Sequence, residues 1–485
     1  MPTTPRLDRR VTAVIAVLAA SALVMILNET VLSVALPDLM AAFAVTAATA
    51  QWLTTGFMLT MAIVIPTTGY LIQRLSTRTV FVVALTLFLA GTALAVVAPS
   101  FGVMLLARVV QACGTAIVLP LLMTTTLTLV PAERRGSVMG LNAVVISAAP
   151  AIGPTLSGVV VDSLGWRWLF AIMLAVAVVT LALGLALVRP VGGNRRVPLD
   201  PASVLLSAVA FGGIVYGLAT VATLLDGGSA APVVSVVVGL AALTVFVLRQ
   251  VRLQRDDAAL LDLRAFTVPT FRLSVVVVMI AMASMLGTVV VLPIYLQSGL
   301  GVSVLATGLL LLPGGLVQGL VSPVVGRLYD LVGLHPLVLP GAVLLCGGQW
   351  LLSSVGADTS LAVVVAMHVV FCVGMAVIMT SLMAAALGAL PRHLYGHGSA
   401  IMNTLQQVAG AAGIAVFVAA LTLGATTAGG AAAQVAGTRA AFVVGGVLTA
   451  VAVVLAPLIG RTTRPAGPPP ADAGDDVEQL VGASA

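Results

Sequence analysis

The sequence predicts an all-α polytopic membrane protein with fourteen transmembrane helices. Two observations lead to this fold class. The 485 residues are 60% hydrophobic and only 8% charged, whereas a soluble domain carries about 25% charged residues. Apolar runs long enough to cross a hydrocarbon layer of ~30 Å also recur along the whole chain. The chain must therefore fold with lipid as part of its solvent.

The predicted spans follow one another with short polar connections. The pair at 203–224 and 232–248 is also compatible with a single re-entrant element. In chain order, we place the spans at 12–36, 49–72, 79–98, 102–130, 137–161, 168–188, 203–224, 232–248, 273–296, 303–325, 337–355, 361–388, 399–423 and 440–460.

The arginines predict the orientation of these spans. All 22 basic residues are arginine. If the N-terminus is inside, nineteen of them fall on the cytoplasmic side, Arg167 and Arg439 fall outside, and Arg108 lies within a span. This asymmetry matches the positive-inside rule and places both termini in the cytoplasm. The net charge of +6 is then a topology signal, so we predict no nucleic-acid partner.

A short internal repeat indicates two related halves. Pro66–Ser76 (PTTGYLIQRLS) and Pro323–Gly333 (PVVGRLYDLVG) share the pattern P-x-x-G-x-L at the end of their spans. Chance recurrence is the alternative, but both copies occupy the same topological position. Repeated halves are typical of transporters. We predict six-helix bundles at 1–190 and 261–462, an inserted helix pair with its linker at 191–260, and a Pro-rich, disordered cytoplasmic tail at 463–485.

Glu29, in the stretch LNETVLSVALP, is the candidate proton-coupling residue. It alone among sixteen acids lies well inside a predicted span. A charge at the bilayer centre costs roughly 2.5–3.5 kcal/mol on insertion scales, so it is retained mainly where function or a partner requires it. Apolar surroundings favour the neutral carboxyl, and a nearby cation favours the charged one. The alternative is a permanently protonated packing group or a side chain that snorkels.

No motif of an enzyme or a metal site is present in the sequence. There is no Walker G-x-x-x-x-G-K-[ST], no G-x-S-x-G and no H-E-x-x-H pattern. Cys113, Cys346 and Cys372 lie in apolar runs without metal-ligand spacing. We therefore predict no enzyme activity, no metal and no cofactor, with a proton gradient as the energy source.

Four stretches in this order resemble the major facilitator superfamily, specifically its fourteen-helix drug:proton antiporter branch (the EmrB/QacA type). They are LNETVLSVALP, GYLIQRLSTR, LLARVVQACGTA and GPTLSG. The N-E-T form resembles exporters of the lincomycin-resistance type. Two departures matter: Gln73 stands at the usual acid of the loop motif, and Asn28 stands at the usual first-helix acid, with Glu29 beside it.

The resemblance implies a monomeric transporter of the bacterial inner membrane that works by alternating access. Its implied partners are protons, the lipid bilayer and an amphipathic or cationic small molecule that is exported by proton antiport. It also implies that the first and fourth helices are adjacent, so Arg108 becomes a candidate counter-charge for Glu29. The alternative for Arg108 is a structural role with backbone carbonyls. Two other functions stay open: transport of a lipid or metabolite, and a membrane protein that does not transport.

The remaining candidates follow from the same motifs and from polar residues within spans. The polar residues are equally compatible with interhelical hydrogen bonds, and the glycines and prolines with simple helix packing. Candidate substrate-binding residues are Asn28, Glu29, Trp52, Asn142, Asn403 and Gln407. Candidate gating residues are Gly69, Arg74, Arg78, Gly153, Pro154, Gly158, Gly326 and Asp330.

Overall fold

The protein is described by a computed structural model that covers residues 8–188, 200–221, 229–425 and 430–460. Every regular element in these ranges is helical. The predicted tail at 463–485 and residues 191–199 and 222–228 of the predicted insert lie outside them. The helices are α1 (Arg9–Thr30), α2 (Leu32–Phe43), α3 (Ala47–Ala50), α4 (Trp52–Arg74), α5 (Thr77–Val96), α6 (Phe101–Leu129), α7 (Arg135–Leu164), α8 (Trp166–Leu187), α9 (Pro201–Ala219), α10 (Ala231–Leu253), α11 (Pro269–Ile294), α12 (Val304–Val332), α13 (His335–Ser353), α14 (Leu361–Gly388), α15 (Tyr395–Ala425) and α16 (Gly430–Gly460).

The predicted membrane class is confirmed. Among the described residues, thirteen helices are long and apolar enough to span a membrane. They are α1, α4–α6 and α8–α16. The predicted fifth span, α7, is not among the thirteen, but its 30 residues extend about 45 Å at 1.5 Å per residue. Large apolar side chains such as Leu331 and Leu305 are 81% and 73% exposed, as expected for surfaces in contact with lipid.

The first predicted span, 12–36, corresponds to α1 and the first part of α2, which are separated at Val31. Val31 keeps right-handed helical backbone angles, and its N–H donates to the Leu27 carbonyl at 2.9 Å. The helix is therefore perturbed locally and does not end there. The Thr30 hydroxyl donates to the Ile26 and Leu27 carbonyls of its own helix, which bends helices. Further along, within α2, Pro37 has no N–H to bond the preceding turn. The perturbation at Val31 lies two residues beyond Glu29.

The helices form two bundles joined along two lines of contact. Helices α1, α2 and α4–α8 pack with one another, and α11–α16 pack with one another. Contacts between the bundles run along α7 and α12 and along α4 and α15, which we call the α7–α12 seam and the α4–α15 seam. Helices α9 and α10 pack together, and α9 contacts both α4 and α15. The inserted pair therefore lies against the α4–α15 seam.

Helix-end contacts distinguish two faces of the molecule. We call the face where α1 begins and α16 ends the terminal face, and the opposite one the distal face. At the distal face, the Phe43 ring lies 5.5 Å from the Trp166 ring, and the Tyr295 hydroxyl donates to the Gly356 carbonyl at 2.7 Å. Each of these distal contacts stays within one bundle. The caps, hydrogen bonds and glycine contacts described below that close the two seams lie toward the terminal face, and the Gln407–Met61 contact lies near the middle of the helices.

An ion pair holds the inserted helices together at the terminal face. Asp200 caps α9 by accepting from the Ser203 backbone at 3.2 Å. It also accepts from Arg249 of α10 at 2.6 and 2.9 Å. These bonds from Arg249 hold the pKa of the Asp200 carboxyl well below its usual range. The pair therefore stabilises the fold above the pKa of about 3.9 of an unfolded aspartate, and this contribution is lost as the pH falls further.

We expect Asp200→Asn to lower the thermal unfolding temperature at pH 7, because asparagine keeps the helix cap but loses the ion pair. The difference from the wild type should shrink as the pH falls toward and below about 4. Thermal unfolding of the purified protein in detergent checks this. Asp162→Asn, at an exposed carboxyl near the end of α7, is the matched control. Equal unfolding temperatures for wild type and Asp200→Asn at pH 7 would contradict the assignment.

Candidate transport site and gates

Glu29 lies on the same side of α1 as Ala22 and Met25, which belong to the apolar core of the N-terminal bundle. The backbone carbonyl of its neighbour Asn28 accepts a hydrogen bond from Arg108 of α6. The hydroxyl of Thr30 donates to the Ala149 carbonyl of α7 at 3.4 Å. Residues four apart lie on one face of a helix, so Glu29 shares its face of α1 with Met25, and Leu27 lies nearly opposite. Glu29 is half-buried in this position.

Arg108 is fully buried where α1, α4 and α6 meet. Its guanidinium donates to the Leu53 carbonyl at 3.4 Å, to the Asn28 carbonyl at 3.3 Å and to Gln111 Oε1 at 3.0 Å. It also lies over the Phe57 ring, 4.2 Å from its centroid. A buried charge needs several such partners. The predicted adjacency of the first and fourth spans is thus present, because Arg108 of α6 bonds the backbone of α1.

Glu29 and Arg108 do not form a direct ion pair in this conformation. Arg108 is nevertheless the cation that acts electrostatically on the Glu29 carboxyl. Beside them, Arg108 Nη2 and both side-chain atoms of Asn28 are buried without a hydrogen-bond partner. Unpaired buried polar groups are rare and destabilising. The site therefore retains hydrogen-bonding capacity that a carboxylate, a water molecule or a bound solute can satisfy.

The other polar candidates have different partners. Asn142 is buried and donates to Thr126 at 3.2 Å, but its carbonyl oxygen has no partner. Asn403 donates to the Ser399 carbonyl of its own helix. Gln407 lies 3.8 Å from the Met61 sulfur, across the bundles. These three helices, α4, α7 and α15, all contribute to the seams.

Trp52, a predicted substrate-binding residue, lies at the distal start of α4. It stacks on Tyr216 of α9, with the ring centroids 5.9 Å apart. The ring is 38% exposed. This stacking contact joins α4 to the inserted pair. It gives Trp52 a packing role that needs no substrate. A substrate role for Trp52 stays a prediction.

Asp330 closes the α7–α12 seam at the terminal face. One carboxylate oxygen accepts from the Gly136 backbone at 2.7 Å, and the other accepts from the Ser137 backbone at 2.7 Å and the Ser137 hydroxyl at 2.5 Å. The carboxylate thus caps the N-terminus of α7, where exposed N–H groups and the helix dipole favour an anion. The cap joins the two bundles across the terminal face.

Three glycines let the same seam close tightly. A Cβ added to Gly326 would clash with the Gly136 backbone, and one added to Gly140 would lie 2.5 Å from the Ser322 carbonyl oxygen. Sequence reasoning selected Gly326 but missed Gly136 and Gly140. The signal was available, because glycines four residues apart on a membrane helix indicate a close helix approach.

The α4–α15 seam closes at the terminal face through Gly69 and Gln73. A Cβ added to Gly69 would lie 3.3 Å from the Gly396 carbonyl oxygen. Gln73 donates to the His393 carbonyl at 3.1 Å. The glutamine at the usual acid position thus still reaches across the bundles, although without a charge.

Arg74 and Arg78 bond within the N-terminal bundle. Arg74 donates to the Tyr70 hydroxyl one turn earlier in α4. Arg78 donates to the Leu185 carbonyl at the end of α8 at 2.9 Å. These bonds tie helix ends together on the terminal face. Neither bond crosses between the bundles.

Toward the distal face, glycines of the two seam helices make no close helix contact. A Cβ added to Gly158 of α7 or to Gly308 of α12 would meet nothing within 4 Å. Another gating candidate, Gly153, approaches Thr30 of α1 so closely that a Cβ would clash. Helix α7 continues from Arg135 to Leu164 without a break, through Gly153 and Pro154. The tight glycine contacts between α7 and α12 described above therefore lie toward the terminal face.

Known proteins share both the sequence and this fold. The sequence pattern of the Major Facilitator Superfamily matches residues 18–414. The chain is 40% identical over 461 residues to the uncharacterised MFS-type transporter YcnB of Bacillus subtilis, covering 94% of this chain and 97% of that protein. It is 41% identical over 399 residues to the lincomycin resistance protein LmrB of the same species, covering 82% of each.

Two solved structures share the fold of this chain at low sequence identity, so they are evidence for the fold alone. The human organic anion transporter MFSD10 superposes with a TM-score of 0.66 at 15% identity, covering 93% of this chain and 100% of that one. The proton:xylose symporter XylE superposes with a TM-score of 0.64 at 15% identity, covering 92% and 94%. Proteins of this family move solutes through membranes and are not enzymes. The chain therefore belongs to the major facilitator superfamily and is a multi-pass membrane transporter with relatives named lincomycin resistance proteins.

Proposed function

We propose that this transporter exports amphipathic or cationic drugs in exchange for protons, by alternating access. The observation that carries the proposal is a half-buried acid within a span, Glu29 of α1, next to the buried Arg108. The relatives named for lincomycin resistance support export of drugs as the direction and substrate class. We also propose that the chain has fourteen spans, arranged as six, two and six, and that the terminal face lies in the cytoplasm.

In the proposed cycle, Glu29 binds either a proton or the substrate. In a conformation open toward the distal face, Glu29 takes up a proton and loses its charge. The chain then opens at the terminal face, where a substrate enters and the proton is released. Arg108 stabilises the carboxylate that remains, because an adjacent cation favours the charged form. Competition between proton and substrate for one carboxyl couples the two fluxes.

The substrate site proposed around Glu29 combines few polar groups with apolar walls, as binding cavities generally do. Asn28 offers an unpartnered amide next to Arg108. Gln407 is held only by a long contact to the Met61 sulfur, so its amide is available to a ligand. Asn142 and Asn403 complete the proposed set. The gates proposed are Gly69, Gly326 and Asp330 at the terminal face and Gly153, Pro154 and Gly158 along α7.

The first test is drug accumulation in cells. Cells that lack their own exporters and express this chain should hold less lincomycin and less of a fluorescent lipophilic cation, our two probe compounds. A protonophore should restore accumulation to the level of cells without the chain. Equal accumulation with and without the chain, for both probes, would argue against drug export.

We expect Arg108→Lys to remain folded but to lose most of its proton coupling. Lysine keeps the positive charge, but its compact ammonium cannot bond Leu53, Asn28 and Gln111 in the fork geometry of a guanidinium. Probe flux in proteoliposomes should lose its dependence on an imposed pH gradient while a residual downhill flux remains. The control is Arg167→Lys, which replaces an arginine bonded to the Ala98 carbonyl at the distal end. Normal coupling in Arg108→Lys would reduce Arg108 to a structural role.

A further inference from the structure

A buried histidine, His397, lies in the first turn of α15 at the α4–α15 seam. The residue is 4% exposed, and its Nδ1 has no hydrogen-bond partner. A Cβ added to Gly69 of α4 would lie 3.2 Å from this nitrogen. The imidazole is therefore enclosed between α15 and the glycine of the opposite bundle, where the terminal face is closed.

The linker between the inserted pair and the C-terminal bundle covers another side of the ring. The backbone of Leu260 lies against the imidazole. This linker segment is itself fixed, because the Leu260 and Leu261 backbone amides donate to Gln250 Oε1 at 2.8 and 3.2 Å. His397 thus contacts the N-terminal bundle and the linker while belonging to the C-terminal bundle.

If the His397 ring carried a second proton, the charged groups around it would offer no free hydrogen-bond acceptor for the new N–H. Asp262 and Arg264 of the linker and His393 of the preceding turn act on it. Asp262 is already occupied by Arg264, whose Nε lies at 2.8 Å and Nη2 at 2.5 Å. On the α4 side the ring meets Gly69. A doubly protonated imidazole would therefore bury an unpaired charged donor, which is strongly unfavourable.

We propose that His397 is a second proton-binding site, and that a proton bound there from the terminal-face solution opens the α4–α15 seam. Once the bundles separate, Nδ1 reaches water and the imidazolium is solvated. Proton binding therefore favours the open terminal face, and the closed one is favoured above the titration range of histidine. The inference rests on the alternating-access part of the proposed function but not on Glu29, and its test needs no substrate.

The test is a distance measurement between spin labels across the seam. The labels replace Thr79 and Arg392, which are both exposed on the terminal face, in the full chain with its three cysteines substituted. As the pH falls from about 8 to about 5.5, the closed population should decrease, by up to about tenfold per pH unit. In His397→Gln the closed population should stay high at every pH. His393→Gln, at the exposed neighbouring histidine, should keep the wild-type profile.

A complementary variant leaves His397 unchanged. The chain has four histidines, so substituting His335, His368 and His393 by glutamine retains His397 alone. The pH profile should persist in this triple variant, which keeps the proposal testable if His397→Gln fails to fold. A wild-type profile in His397→Gln, loss of the profile in the triple variant, or a pH-independent wild type would each overturn the assignment.

Discussion

Glu29→Gln should abolish proton-coupled accumulation of both probe compounds. Glutamine keeps the size and polarity of the side chain but cannot exchange a proton. In proteoliposomes with a pH gradient of one unit, exchange of one proton per substrate supports about tenfold accumulation. We expect this accumulation to fall to equilibrium in Glu29→Gln, while downhill flux of probe continues. Glu29→Asp, which keeps the acid, should retain part of the coupling.

The matched control for Glu29→Gln is Gln406→Ala. Gln406 is a partly buried polar residue of α15 whose amide lies 3.7 Å from the Met383 sulfur, and we assign it no role in transport. Gln406→Ala should accumulate the probes as the wild type does. If Glu29→Gln accumulates them equally well, Glu29 is a packing residue and the coupling acid lies elsewhere.

Gly326→Ala should disrupt closure of the terminal face. The added methyl group would clash with the Gly136 backbone, and a backbone cannot rotate away as a long side chain can. Overpacking typically costs about 1–3 kcal/mol, which is a five- to 150-fold change in a two-state ratio. We therefore expect the closed population to fall by that factor and export to fall with it. Spin labels at the exposed residues Glu133 and Arg327 measure the closure.

Gly308→Ala on the same helix is the control for Gly326→Ala. A Cβ there meets nothing within 4 Å, so the substitution should leave the terminal face closed. Its intrinsic effect is a gain in helix propensity of about 0.5–1 kcal/mol. If the two variants have equal closed populations, the glycine contact between α7 and α12 does not set the conformation.

The sequence predicted the helices well because each one carries its own signal. A span of membrane needs a long apolar run, and such a run is local. In the first span, the local perturbation at Val31 follows a threonine whose hydroxyl bonds the carbonyls of its own helix. These polar details leave the apolar run intact, so hydropathy did not reveal them.

The sequence could identify the residues of the site but not their partners. Glu29 and Arg108 were found because a charge within a span is rare. That Arg108 bonds the backbone of α1 and α4 follows only from the packing of three helices. Asp330 was selected for its motif, but its partner Ser137 lies 193 residues away, and no local pattern connects them. His397 carried no signal, because its confinement comes from α4 and the linker together.

Movement of protons during substrate flux tests the central claim most directly. The purified full chain would be reconstituted in liposomes that contain a pH-sensitive dye and have no imposed gradient. When a probe compound is added outside and flows inward, antiport predicts that protons flow outward and the lumen becomes more alkaline, and that Glu29→Gln abolishes this change. Probe flux without proton movement, or with protons moving in the same direction as the probe, would contradict a proton-coupled exporter.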